Sequence, residues 1–224
     1  MQSTQSRPDA EEDASDAGGP GPGGDERAAV VARKRPKPGE RRVQILQTLA
    51  AMLEEPGADR ITTAALAAKL AVSEAALYRH FASKAQMFEG LIEFIESSIF
   101  TLVNQITERD ADPALQARRI VFMLLQFGEK NPGMARVMVG DALVFENERL
   151  SARMNQFFDK IESQLRQCLR AAAEKAGSQT PTVDANGRAS ALTALAVGRL
   201  QRFTRSGFKR SPTEQIDLAL GLLT

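Results

Sequence analysis

The stretch Ile61-Thr-Thr-Ala-Ala-Leu-Ala-Ala-Lys-Leu-Ala-Val-Ser-Glu-Ala-Ala-Leu-Tyr-Arg-His-Phe81 decides the fold. It reads as two short amphipathic helices, one after Thr62 carrying Leu66 and Leu70, the next after Ser73 carrying Leu77 and Phe81. About three residues separate them, the spacing of a helix-turn-helix. Leu66, Ala67, Leu70, Val72 and Leu77 supply a small core that sets the angle between the two helices. Ser73 is a good N-cap, and Glu74 suits the positive end of the helix dipole. Ala75 and Ala76 are small enough for the second helix to approach base edges, and an alanine also fits a thymine methyl.

Polar residues fall where DNA contacts are made. Thr62 and Thr63 open the supporting helix, where hydroxyls and free amides suit a phosphate oxygen. Tyr78, Arg79 and His80 lie late on the recognition helix, within reach of phosphates or the groove wall. Lys84 starts the next helix, where a cation opposes the dipole unless an anion lies nearby, and a phosphate would supply one. With Ser73, Glu74 and Ala75 these form the candidate DNA-binding set. Each has a plainer alternative: Thr62 as a cap, His80 as a surface side chain, Tyr78 as packing on the following helix.

Outward from this segment the chain divides in three. Residues 1–37 read as a disordered tail, with Gly18-Gly19-Pro20-Gly21-Pro22-Gly23-Gly24 at its centre. The tail is acidic first (Asp9, Glu11, Glu12, Asp13, Asp16, Asp25, Glu26 against Arg7) and then basic, at Arg33, Lys34, Arg35, Lys37, Arg41 and Arg42. The basic stretch is either a solvated linker or an arm for phosphates or the minor groove. Residues 38–84 form the DNA-binding unit and 85–224 a helical unit for dimerisation and partner binding. A formal net charge of +1 hides the asymmetry. Between 33 and 84, Arg33, Lys34, Arg35, Lys37, Arg41, Arg42, Arg60, Lys69, Arg79 and Lys84 outnumber Glu40, Glu54, Glu55, Asp59 and Glu74. Local excess is what attracts phosphate, because salt screens charges beyond about 10 Å.

Beyond the head, helical periodicity recurs without a convincing strand. The spacing predicts a helix from Glu40 ended by Pro56-Gly57, and a long one after Ser83 with Met87, Leu91, Ile95, Ile99, Leu102 and Ile106 inside. A fifth runs from Pro113 to Asn131, with Pro132-Gly133 separating a short sixth, and a seventh from Phe145 to about Lys175. The last two cover Asp184 to Arg205 and Thr213 to Leu223. The fold class is all-α with about nine helices. Leu192, Leu195, Ala196, Leu200 and Phe203, with Ile216, Leu220 and Leu223, are stripes for a four-helix dimer bundle or, alternatively, for packing within one chain.

Composition narrows the rest. The one cysteine, Cys168, allows no internal disulfide and fits a reducing cytoplasm. No apolar run approaches the roughly 20 residues a bilayer needs, and no secretion signal is visible. One histidine, no metal-ligand cluster and no phosphate-binding glycine loop argue against an enzyme, a metal or a cofactor.

Ile61-Thr62-Thr63, Val72-Ser73, Leu77-Tyr78-Arg79-His80-Phe81 and Ser83-Lys84 resemble the signature of the TetR family. Ala71 departs from it, standing where glycine is common; if the turn is left-handed, alanine costs about 1 kcal/mol. From about Arg41 onward the chain is similar to one branch of that family, the nucleoid occlusion factors. The motifs are Ser73-Glu-Ala-Ala-Leu-Tyr-Arg-His-Phe, Leu91-Ile-Glu-Phe-Ile-Glu, Phe127-Gly-Glu-Lys-Asn-Pro-Gly, Phe145-Glu, Ile161-Glu-Ser-Gln-Leu-Arg-Gln and Arg202-Phe-Thr-Arg-Ser-Gly-Phe-Lys. The resemblance implies a TetR-like, nucleoid-associated homodimer on palindromic double-stranded DNA that also binds the C-terminal tail of the division protein FtsZ. It implies a groove between the fourth and fifth helices, with Phe94, Lys130 and Asn131 as partner-binding residues; Lys130 stands where arginine is typical. Read without it, Phe94 is more often a core residue than a partner site. The competing function is a TetR-type repressor controlled by a small ligand, which calls for a cavity with convergent polar groups.

Overall fold

The computed structural model describes residues 39–55 and 60–224. The tail, the basic stretch up to Lys37 and the Pro56-Gly57 stop lie outside the described residues. Nine α-helices and no strand occur among those described: α1 (Glu40–Glu54), α2 (Thr63–Lys69), α3 (Glu74–Tyr78), α4 (Lys84–Arg109), α5 (Pro113–Lys130), α6 (Pro132–Met138), α7 (Glu148–Lys175), α8 (Pro181–Arg205) and α9 (Ile216–Leu223).

Three hydroxyl caps punctuate the first part. Thr62 Oγ1 accepts from Ala65 N at 3.1 Å, Ser73 Oγ from Ala76 N at 3.3 Å and Ser83 Oγ from Gln86 N at 3.2 Å, opening α2, α3 and α4. The turn between α2 and α3 places Ala71 at φ 53°, with Val72 N donating to Ala67 O and Ala71 N to Ala68 O, each at 3.0 Å. That bond pair ends a helix through a left-handed residue, so the glycine-like conformation is required and alanine bears its cost.

Below the head, α5 is the central element, packed on α4, α6, α7 and α8. Ile120, Val121, Leu124 and Leu125 from α5 meet Phe157, Ile161 and Leu165 from α7 and Leu192, Ala196 and Leu200 from α8, all fully buried. Phe157 lies edge-on to both Phe100 (5.9 Å, 73°) and Phe158 (5.1 Å, 75°). Cys168 is buried in α7, and loss of hydration pushes its thiol above the ordinary range.

Four sequence expectations change. Helix α3 stops at Tyr78, so Arg79 and His80 follow the recognition helix rather than riding its last turn; Phe81, two residues on, still reaches the core. Val103, not Leu102, continues α4's buried stripe, which keeps the four-residue steps of Met87, Leu91, Ile95 and Ile99. Pro132-Gly133 does not separate helices but forms the first turn of α6, where proline's missing N–H costs nothing. Helix α7 begins at Glu148 behind an Asn147 cap, leaving Phe145 in the preceding link, 67% exposed.

The crossing of α1 and α6 carries the head on the body. Gly133 lies so close to α1 that a Cβ there would sit 2.0 Å from the Ala50 carbonyl oxygen. One turn further on, Arg136 Nη1 donates to Leu53 O at 3.3 Å.

Candidate nucleic-acid interface

The polar residues of the head form a connected row. Thr63 Oγ1 donates to Glu74 Oε2 at 2.6 Å, and the Tyr78 hydroxyl donates to Thr63 Oγ1 at 3.4 Å. The start of α2 and both ends of α3 are thereby joined across the turn. Thr62, Ser73, Glu74, Ala75, Tyr78 and Arg79 are exposed, while Thr63 and His80 are half-buried. Ala75 sits in the first turn of α3 with open solvent before it, the position that reaches base edges in this motif. Behind the row, Leu66, Ala67, Leu70 and Leu77 are buried and Val72 packs against them.

One supporting residue escapes a sequence reading. Arg42 of α1 donates to the His80 carbonyl at 2.5 Å and stacks its guanidinium over Phe81, 4.1 Å from the ring centre. The segment after α3 is thus pinned to α1. In sequence Arg42 is one more charge in a basic run; its partner is 38 residues away.

Lys84 has an anion inside the protein. Its ammonium pairs with the Glu146 carboxylate and also lies 5.7 Å from the Phe88 ring centre. The awkward cation at a helix start therefore has a partner before any nucleic acid arrives.

The second candidate site lies lower on α4. Phe94 is 50% exposed, which removes the core reading. Helices α4 and α5 fold back on each other across residues 110–112, so Phe94 comes level with the last turn of α5. Lys130 is exposed there. Asn131 ends α5 and starts α6, its side-chain amide donating to Phe127 O at 2.8 Å. The two elements thus carry an exposed aromatic ring on α4, an exposed cation at the end of α5 and a half-buried amide at the start of α6.

The proposed dimer stripes do not point outward. Leu192, Ala196, Leu200, Phe203, Ile216 and Leu220 are buried within the single chain, with Leu195 and Leu223 partly so. The contacts run from α8 to α7, α5, α6 and α9, which is the within-chain alternative. What faces solvent is a smaller-grained surface: Gly187, Ala191 and Ala194 on α8, and Leu218 (74% exposed) and Leu222 (80%) on α9.

None of the described helices is long and apolar enough to cross a membrane. Two family models match the chain: residues 45–91 match the bacterial regulatory proteins of the tetR family, and residues 112–224 the tetracyclin repressor-like C-terminal domain of SlmA-like type. Among curated proteins, the nucleoid occlusion factor SlmA of Salmonella typhi is 50% identical over 188 residues, 84% of this chain and 94% of that protein. The nucleoid occlusion factor SlmA of Photobacterium profundum is 52% identical over 178 residues, 79% of this chain and 90% of that protein. Solved structures share the fold at low identity. The regulator FadR of Bacillus subtilis, in complex with stearoyl-CoA, has a TM-score of 0.65 at 14% identity, covering 81% of this chain and 96% of its own. The TetR family regulator PfmR of Thermus thermophilus has 0.64 at 21%, covering 81% and 94%.

Proposed function

The chain belongs to the TetR family, in its SlmA-like branch, and from that membership we propose a sequence-specific DNA-binding nucleoid occlusion factor that restrains FtsZ ring assembly over the nucleoid. The observation that carries the reading is identity of about half, over 84% and 79% of the chain, with proteins named for that role. The competing reading, a ligand-controlled repressor, rests on fold likeness below 25% identity.

The protein works as a dimer in the cytoplasm, on palindromic sites of the chromosome. Residues 38–84 read the duplex and 85–224 join the protomers and meet the partner. In the head, α3 enters the major groove with Ala75 toward the bases, while Thr62, Thr63, Tyr78, Arg79, His80 and Lys84 hold the backbone on either side. Ser73 and Glu74 shape the start of that helix. The outward Gly187, Ala191 and Ala194 let α8 approach its twofold mate closely, and Leu218 and Leu222 supply the apolar area.

Phe94, Lys130 and Asn131 take the FtsZ tail. An aromatic ring half out of water, with an exposed cation and an amide at the end of the neighbouring helix, suits a short peptide with an apolar residue and an acid.

Sedimentation of FtsZ polymers with GTP tests the whole reading. Polymer should be lost with this protein plus a duplex it selects, and kept with a scrambled duplex. Equal polymer in both, with DNA binding confirmed, would sink the division role. Phe94→Ala should lose the effect on polymer while binding duplex and unfolding like the parent protein.

A further inference from the structure

Three ion pairs in ladder order join helix α4 to the link before α7 and to the start of α7 itself. Lys84 pairs with Glu146, Glu89 with Arg149 at 2.7 Å, and Glu96 with Arg153 at 2.6 Å. In the two lower rungs α4 supplies the acid and the α7 side the cation. The top rung, nearest the head, is reversed. A lysine on the first residue of a helix opposes the dipole, and here the Glu146 carboxylate compensates it. The reversed pair is also partly withdrawn from water, with the Glu146 side chain 10% exposed and Lys84 24%. The helix dipole disfavours lysine at this position and Glu146 alone offsets that within the ladder. Its place is informative: Phe81 closes the core of the head, Ser83 caps α4, and Lys84 is the first residue of the helix that leaves the head.

From this geometry we infer that Glu146 is a positioning residue for DNA binding, a carboxylate that stands in for a phosphate oxygen until the duplex arrives. In the free protein it holds the Lys84 ammonium. On the duplex a backbone phosphate takes that ammonium over and Glu146 lets go. The inference rests on Lys84 as a phosphate contact. Two consequences follow from the exchange. DNA affinity lies below what Lys84 alone would give, because one pair per protomer must open. Opening it also releases the Glu146 side chain in the link between α6 and α7, beside the exposed Val144 and Phe145.

The experiment is a salt series of duplex binding by the full-length chain, using a duplex selected from random sequence with the wild-type protein, and thermal unfolding of each variant. E146Q should bind about three- to tenfold tighter, the worth of a weakly screened pair, with an unchanged salt slope. E146D, which keeps the charge, should stay at wild-type affinity. K84Q should bind about tenfold more weakly, its slope shallower by about two, one phosphate contact per protomer. Adding E146Q to K84Q should change nothing further, and E96Q, which cuts a lower rung, should leave affinity as it is. A folded E146Q that binds like wild type or more weakly overturns the exchange. So does tightening that persists beside K84Q, or that E96Q reproduces, since either would mark a general charge effect. A full salt slope in K84Q would instead remove Lys84 from the interface, and the inference with it.

Discussion

In the reading head, the bonds that start and stop its helices span a few residues: Thr62 to Ala65, Ala67 to Val72, Ser73 to Ala76, Ser83 to Gln86. At the crossing of α1 and α6 nothing local is at stake, and Gly133 is set by a carbonyl 83 residues earlier in the chain, at Ala50. One region is written in caps and a turn, each worth about 1 kcal/mol and each separable. The other is a steric fit with no partial form. The head thus tolerates single losses, whereas the seat that carries it does not.

Gly133→Val should give the largest effect. Its Cβ meets backbone rather than a flexible side-chain end, so the cost should be about 3 kcal/mol, read as a fall in the unfolding midpoint in denaturant. Unfolding unchanged from wild type would show that α1 can lift off α6 freely and would erase the contrast. Ser73→Ala should cost about 1 kcal/mol in the same measurement and should weaken duplex binding, since the cap orders the first turn of α3. A loss as large as that of Gly133→Val would mean the head is not held locally.

Ala71→Gly should stabilise the protein by up to about 1 kcal/mol, relieving the positive φ at the turn, less what glycine adds to the unfolded chain's freedom. A fall in stability would show that the alanine side chain has a role in the turn. The smallest effect concerns Cys168. Burial raises its thiol in the folded state, so the unfolded chain gives up this proton first as pH climbs. Stability from this group is whole below the ordinary thiol range and declines above it. Alkylation should accordingly be slow in the native protein and fast in denaturant; rapid native labelling would show that α7 opens locally.

The same contrast explains how much was legible. Caps and the core pattern of α2 and α3 follow from neighbours in sequence, which made Thr62, Ser73 and Ser83 recognisable as helix starts. The contacts that sequence reading did not find are those whose partners are remote. Arg42 looked like a loose charge and is a clamp on His80 and Phe81. Lys84 looked like a cation awaiting phosphate and has Glu146 as a partner within the chain. Leu192, Ala196 and Leu200 formed a visible stripe, but periodicity cannot say whether the facing surface belongs to the same chain or to a second copy.

Composition and periodicity alone determined an all-α chain with a helix-turn-helix near residues 61 to 81, because helix propensity, capping and amphipathic spacing act within one or two turns. Tertiary structure alone decided that Phe94 is half exposed, that the α8 stripe turns inward, and that α6 seats α1 on a glycine. Those outcomes depend on which surfaces meet across dozens of residues, and excluded volume and burial act on atoms in space whatever their order along the chain.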